Sequence, residues 1–122
     1  MQDLNAGQLS IKASTPPGGA TAPLQLRLRG RSSDRHPEHI LGPYFASALS
    51  AAAEQEAGLE LHFEELDYFN SSTITSLIQL IQEARAKGIK LTYVYDPALR
   101  WQKLSFDALR VFVGDGLDLK QV

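Results

Sequence analysis

The sequence contains no cysteine among its 122 residues. This absence excludes a disulfide framework and thiolate metal sites, and it is typical of proteins from a reducing compartment such as the cytoplasm. No hydrophobic run approaches the roughly 18 residues of a membrane-spanning helix, and the amino terminus does not resemble a secretory signal. We therefore expect a cytoplasmic protein that neither spans a membrane nor is exported by that route.

The chain also lacks a strong excess of charge of either sign. Its net charge is −2 at pH 7 and its pI is about 5.9, values that favour neither nucleic acid nor an anionic membrane as the main partner. Hydrophobic residues make up 43% and charged residues 21% of the chain, as in ordinary globular domains. At this length we interpret residues 1–122 as a single domain.

Predicted strands and helices alternate along the chain. Alternating apolar and polar residues predict strands at 24–28, 59–63 and 89–95, with shorter ones at 9–12 and 117–122. Helical spacing begins at Pro43, after Asn70 and after Asp96-Pro97, and the last of these helices has Leu99, Trp101 or Leu104 facing inward. Residues 1–8 are expected to be loose, residues 31–42 to form a polar connection, and residues 14–23, rich in proline and glycine, to form a flexible loop.

The predicted strands carry leucines on one face and charged residues on the other. Arg27 and Arg29 would share a face with Glu60, His62 and Glu64. A sheet covered on both faces would show nearly continuous apolar strands instead. We therefore predict an α/β fold with a mixed sheet of four to five strands, helices mainly on one face, and charge-complementary side chains on the other.

The polar turn Asn70-Ser71-Ser72 stands between a predicted strand and a predicted helix. Unpaired N–H groups and the helix dipole favour an oxygen acceptor or a negative charge at such a place. Asn70 or Ser71 could simply cap the helix, or Ser71 could be a regulatory phosphorylation site. A third interpretation is that a nucleotide or another anion binds at this helix terminus, together with Arg31 or Arg35.

Other motifs give little support for metal binding or catalysis. His36 and His39 have a spacing that suits zinc on a helix, but Pro37 interrupts the stretch and His62 lies on another element. Ser71 is not in a G-x-S-x-G elbow, and no histidine is assigned by sequence as its base. We therefore expect a surface loop around His36, no metal, no cofactor and no enzymatic activity.

The order strand, strand, helix, strand, serine-bearing turn, helix, strand, helix resembles the STAS family of bacterial anti-sigma-factor antagonists. The likeness is carried mainly by residues 59–112: an acidic-hydrophobic run at 65–69, the Asn70-Ser71-Ser72 turn, an Ile/Leu-rich helix ending at Lys87-Gly88, and Asp96-Pro97-Ala98. In that family the turn typically reads Asp-Ser-Ser-Gly, so Asn70 and Thr73 depart from it. The Asn-Ser-Ser turn looks closer to SiaC-type regulatory phosphoproteins.

This resemblance implies that Ser71 is phosphorylated by a partner kinase and that the turn, Asn70, Ser71, Ser72 and Thr73, contacts protein partners. The implied partners are a protein kinase of the anti-sigma type, a phosphatase or a downstream effector enzyme, and phosphorylation would select among them. A structural or assembly module in which Ser71 is only a helix cap remains the alternative.

Overall fold

A computed structural model of the protein describes residues 1–15 and 22–122, and one mixed β-sheet runs through them. Its strands are β1 (Leu4–Ala6), β2 (Leu9–Ser14), β3 (Leu24–Ser32), β4 (Leu59–His62), β5 (Leu66–Phe69), β6 (Leu91–Tyr95) and β7 (Leu117–Gln121). The helices are α1 (Glu38–Glu54), α2 (Ser71–Ala86) and α3 (Arg100–Leu109), and a short 3-10 turn, Arg110–Phe112, follows α3.

The sheet combines an antiparallel edge with a parallel centre. Its strand order is β1-β2-β3-β4-β6-β7, with β1, β2 and β3 antiparallel and β3, β4, β6 and β7 parallel. The first half of β3 pairs with β4, but beyond an irregularity at Gly30 and Arg31 its end pairs with β5. This change of partner brings the end of β3 beside the chain that leads into α2.

All three helices contribute to one hydrophobic core on one face of the sheet, as predicted. Because alternate strand residues point to opposite faces, the leucines of β3 and β4 are buried on that face while Arg29 is exposed. The core includes Leu26, Leu28, Leu61 and Tyr93 from strands, Phe45 and Leu49 from α1, Leu77 and Ile81 from α2, and Phe106 from α3.

The opposite face carries complementary charges, as the strand pattern predicts. Arg27 pairs with Glu64 over 3.7 Å, and the His62 ring lies between two carboxylates, 2.5 Å from Glu60 and 3.0 Å from Glu64. The Arg27–Glu64 ion pair is partly exposed, and pairs of this kind contribute little stability. The main effect of these contacts is to satisfy the polar groups of a face that none of the described helices covers.

The described part of the sheet has seven strands, more than the four to five predicted. Two short strands explain the difference. Residues 4–6, expected to be loose, form β1 and pair with β2, and a three-residue strand is too short for alternation to reveal it. In β5 only Leu66 and Phe69 are buried while Asp67 and Tyr68 are exposed, so this strand does not alternate. Of the predicted loop at 14–23, residues 16–21 lie outside the described residues.

Helix α1 begins at Glu38 rather than at Pro43. The predicted polar connection of residues 31–42 is therefore wrong for residues 38–42, which are helical. Pro37 occupies the position before the first helical residue, and Pro43 lies inside the helix. Because Pro43 has no backbone N–H, the helix lacks one hydrogen bond there. Leu41 and Phe45 are both buried four residues apart, which explains why the helix continues through the proline.

Helix α3 begins at Arg100, and of the three residues predicted to face inward Trp101 packs, partly buried, against the core. Leu99 and Leu104 are exposed, and the fully buried residue near its start is Gln102. The Gln102 amide nitrogen donates to the carbonyl oxygens of Phe63 and Leu66, and its oxygen accepts from the Asp96 N–H at 2.8 Å. A polar residue thus holds α3 against the ends of β4 and β6.

None of the helices in the described residues is long and apolar enough to cross a lipid bilayer.

Candidate functional site

The turn before α2 is capped by Asn70, not by Ser71. Asn70 has an extended backbone, with φ −90° and ψ 175°, and its side-chain oxygen accepts the Thr73 N–H at 2.9 Å. This is the geometry of a helix N-cap residue. The interpretation of Ser71 as the cap is therefore wrong, because Ser71 is already the first residue of α2.

Asn70 is also attached to the end of β3 and to the loop that follows it. Its backbone N–H donates to the Ser32 carbonyl at 3.0 Å, and its side-chain NH₂ donates to the Asp34 carbonyl at 2.8 Å. Both polar atoms of the side chain are therefore in use. These bonds fix the start of α2 relative to the loop between β3 and α1.

Thr73 lies beneath this turn and is 0% exposed. Its hydroxyl is 2.7 Å from the Ser32 hydroxyl and 2.7 Å from the Asn70 side-chain oxygen. Buried hydroxyls need such partners, because an unsatisfied polar group in the interior is costly. Thr73 was expected to contact partners directly, but in this structure it lies below the surface and supports Asn70 from within.

Ser71 differs from its neighbours in being exposed, whereas Ser72 is only partly exposed. Among the described residues no hydrogen bond involves the Ser71 side chain, although its carbonyl accepts from the Thr75 hydroxyl at 3.2 Å. Of the three hydroxyl groups at the start of α2, the Ser71 group is thus the most accessible. No histidine of the described chain hydrogen-bonds to it, so the turn contains no serine–histidine pair.

An aromatic and cationic surface lies beside the turn. The Arg31 guanidinium carbon is 4.9 Å from the centre of the Tyr68 ring, a cation–π arrangement. Tyr68 and Trp101 have ring centres 6.5 Å apart, and Trp101 meets Phe69 edge-on at 5.1 Å. Within the described chain no carboxylate comes within 4.0 Å of Arg31, so its charge is available to an anionic group.

A cavity of about 360 Å³ is lined in part by the loop between β3 and α1, to which Asn70 is hydrogen-bonded. It lies between the β1–β2 turn, the end of β3 and the start of α1, and this volume is near the lower end for small-molecule sites. Ser32 and Asp34 line it and also bond to the Asn70-Thr73 pair. The other lining residues are Ala6, Gly7, Gln8, Leu9, Arg31, Ser33, Pro37, Ile40 and Leu41.

Helix α2 is joined to the sheet through Tyr93. The Tyr93 hydroxyl donates to the Leu77 carbonyl at 2.7 Å, and burial raises the pKa of this phenol well above its usual value. Tyr93 is therefore a neutral donor that fixes α2, and with it the Ser71 turn, against β6. The sequence pattern placed Tyr93 in the core but gave no sign of this bond.

Neither a protein-family model nor a curated protein sequence matches this chain. One solved structure that is similar belongs to a protein of the DUF3478 family with a SpoIIAA-like fold, from Shewanella loihica PV-4. The similarity covers 100% of this chain and 91% of that one, with a TM-score of 0.58 and 14% sequence identity. At this identity the likeness concerns the fold alone. The chain thus has a SpoIIAA-like fold, which is the STAS-like fold that its sequence resembles.

Proposed function

We propose that this protein is a non-enzymatic bacterial regulator that exchanges protein partners according to the phosphorylation of Ser71. The observation that carries the proposal is the division of roles in the turn. Asn70 caps α2, Thr73 is buried beneath it, and Ser71 is exposed. A kinase can therefore reach Ser71 without removing the group that holds the helix.

The position of Ser71 also suits a phosphoryl group. Phosphorylation adds about −1.5 to −2 units of charge at pH 7, and the amino terminus of a helix favours negative charge. Because Asn70 keeps its cap bond to Thr73, the modified protein should remain folded. The added charge would then act on the binding surface, by repelling one partner or attracting another.

The proposed partners are a protein kinase of the anti-sigma type, a phosphatase and a downstream effector enzyme. Their contact surface would include Asn70, Ser71 and Ser72 and the neighbouring Tyr68 and Trp101 rings. Exposed aromatic side chains are enriched in protein interfaces. This arrangement supports a protein-binding role more than a catalytic one, since the described residues provide no base for Ser71.

The test compares the wild-type protein with Ser71→Asp and with the neutral variant Ser71→Asn. The partner retained by the immobilised wild-type protein from extracts of its own cells is identified, purified and titrated against all three. We expect Ser71→Asp to be folded by circular dichroism and to bind at least about tenfold more weakly, a difference of about 1.4 kcal/mol. Ser71→Asn should bind like the wild type. Equal affinity of folded Ser71→Asp would contradict the proposal.

A second candidate function is the binding of a nucleotide or another small anion. It is favoured by the cavity beside the turn, because Arg31 lines it and has no carboxylate partner among the described residues. Calorimetric titration with nucleotides distinguishes the two functions. Saturable binding that is lost in Arg31→Ala but kept in Ser71→Asn would support the anion site.

A further inference from the structure

Three potential metal ligands meet at the start of α1, in a place where the sequence suggested only a loop. His36, Glu38 and His39 each offer one donor atom, and these atoms all lie within 4.8 Å of one another. The sequence alone predicts that Pro37 interrupts the stretch that carries the two histidines. In the structure Pro37 instead precedes the first helical residue, with φ −64°, and leaves both histidines and Glu38 on one surface.

We propose that His36, Glu38 and His39 bind a first-row transition metal ion, with Zn²⁺ as the reference ion and water completing the coordination. Two imidazole nitrogens and one carboxylate oxygen are donors that zinc uses, with an open fourth position. Neighbouring ligands of a tetrahedral zinc are about 3.3 Å apart. The His36 Nδ1 and Glu38 Oε1 atoms are already 3.3 Å apart.

The remaining donor atoms lie within 4.8 Å of one another and must approach to about 3.3 Å when an ion binds. All three residues are exposed, so their rotamers can change without disturbing the core. The His36 and His39 rings are tilted to each other with centres 5.9 Å apart. The positive end of the α1 dipole opposes a cation here, and the carboxylates of Glu38 and nearby Asp34 offset it.

The backbone that carries these ligands is already ordered. The Asp34 side chain accepts the His36 N–H at 3.1 Å, and the His39 N–H donates to the His36 carbonyl at 3.3 Å. Less conformational freedom is then lost when the ion binds. The same Asp34 accepts from Asn70 at 2.8 Å through its carbonyl, so the metal site borders the Ser71 turn. The proposal does not depend on the phosphorylation of Ser71.

The test is calorimetric titration of the full chain with Zn²⁺ in a non-chelating buffer. We expect saturable binding of one ion, weakened at least about tenfold in His36→Ala and in His39→Ala, and also weakened in Glu38→Gln. Co²⁺ in place of Zn²⁺ should give visible absorption bands of a low-symmetry site, and these bands should be lost in the same variants.

Two control variants test whether the ion is bound at this place. Glu54→Gln changes the last residue of α1, and His62→Gln removes the third histidine of the chain. Both should bind Zn²⁺ like the wild type, with circular dichroism confirming that each variant is folded. The proposal is overturned if the wild type shows no saturable binding, if His36→Ala and His39→Ala bind within about twofold of it, or if only His62→Gln loses the ion.

Discussion

The side-chain amide of Asn70 donates to the backbone carbonyl of Asp34 over 2.8 Å. Its oxygen at the same time accepts from Thr73 and caps α2. A carboxylate could cap the helix equally well but has no N–H to donate. This second bond gives a physical reason for asparagine at a position where the STAS family that the sequence resembles typically has aspartate.

Substitutions at Asn70 should therefore separate its two bonds. Asn70→Ala removes both, and we expect a loss of about 1–2 kcal/mol in the free energy of unfolding, as for other N-cap residues. Asn70→Asp keeps the cap and should lose less. Ser71→Ala, which removes neither bond, should stay within about 0.5 kcal/mol of the wild type. Urea denaturation measures the free energy of unfolding of all three variants. Equal losses in Asn70→Ala and Ser71→Ala would contradict a stabilising role of the Asn70 cap.

Gln102 should be among the most sensitive polar positions. Gln102→Ala leaves the Asp96 N–H without its partner and removes one of two donors to the Phe63 carbonyl, which still accepts the Leu66 N–H. An unsatisfied buried group costs about 1–3 kcal/mol, and we expect a loss of this size in the free energy of unfolding. Gln79→Ala, on the exposed side of α2, is the matched control and should cost less than about 0.5 kcal/mol. A small effect at Gln102 would mean that water replaces its bonds.

Gly30→Ala should destabilise the protein far more than Gly42→Ala. Gly30 has φ +89°, and a Cβ there would clash with the Gln8 carbonyl oxygen, so an alanine must displace the chain where β2 pairs with β3. Gly42 lies inside α1, where a Cβ would meet no atom beyond its chain neighbours and its own helix. The gain in helix propensity at Gly42 is offset by Pro43, which disfavours helical backbone for a preceding residue with a Cβ, so we expect Gly42→Ala to stay within about 0.5 kcal/mol of the wild type. Thermal melts measure both, and equal losses in the two variants would contradict the strained position of Gly30.

Stability should fall in alkaline solution because of Tyr93. Burial raises the pKa of Tyr93 in the folded state, whereas an unfolded tyrosine ionises near pH 10. The stabilising contribution is therefore complete below about pH 10 and is lost as the pH rises further, since the unfolded state then releases its proton first.

Denaturant midpoints measured between neutral and strongly alkaline pH check this dependence. Tyr93→Phe should reduce the loss of stability per pH unit at alkaline pH. Part of the loss should remain, because burial and the nearby Asp3 raise the pKa of Tyr44 to about 12. If the midpoint of Tyr93→Phe depends on pH as steeply as that of the wild type, the alkaline loss of stability comes from other groups.

The features that the sequence predicted correctly are those set by local alternation. The leucines of β3 and β4 and the spacing of Leu77, Ile81 and Ala84 each depend on a regular period, and the one-sided sheet follows from them. The strand β5 and the start of α1 were missed because the exposed Tyr68 breaks alternation and Pro43 lies where a helix start is usual.

Hydrogen bonds between residues far apart in the chain could not be predicted from the sequence. Nothing local indicates that the Gln102 side chain reaches Phe63, or that Ser32 lies against Thr73 across 41 positions of the chain. The position of the Asn70-Ser71 turn was predictable because strand, turn residues and helix follow one another directly. Which of its side chains caps the helix and which is exposed depended on the packing of β3 against it.

The most direct test of the central claim is phosphopeptide mapping by mass spectrometry of the protein isolated from its own cells. The wild type should carry phosphate on Ser71, and Ser72→Ala should keep it, because Ser71 is the exposed hydroxyl and Asn70 holds the helix start independently. Ser71→Ala should lose the label while remaining folded. Phosphate on Ser72 or Thr73 instead, or no phosphate on Ser71 under any growth condition in which a partner is bound, would contradict the account.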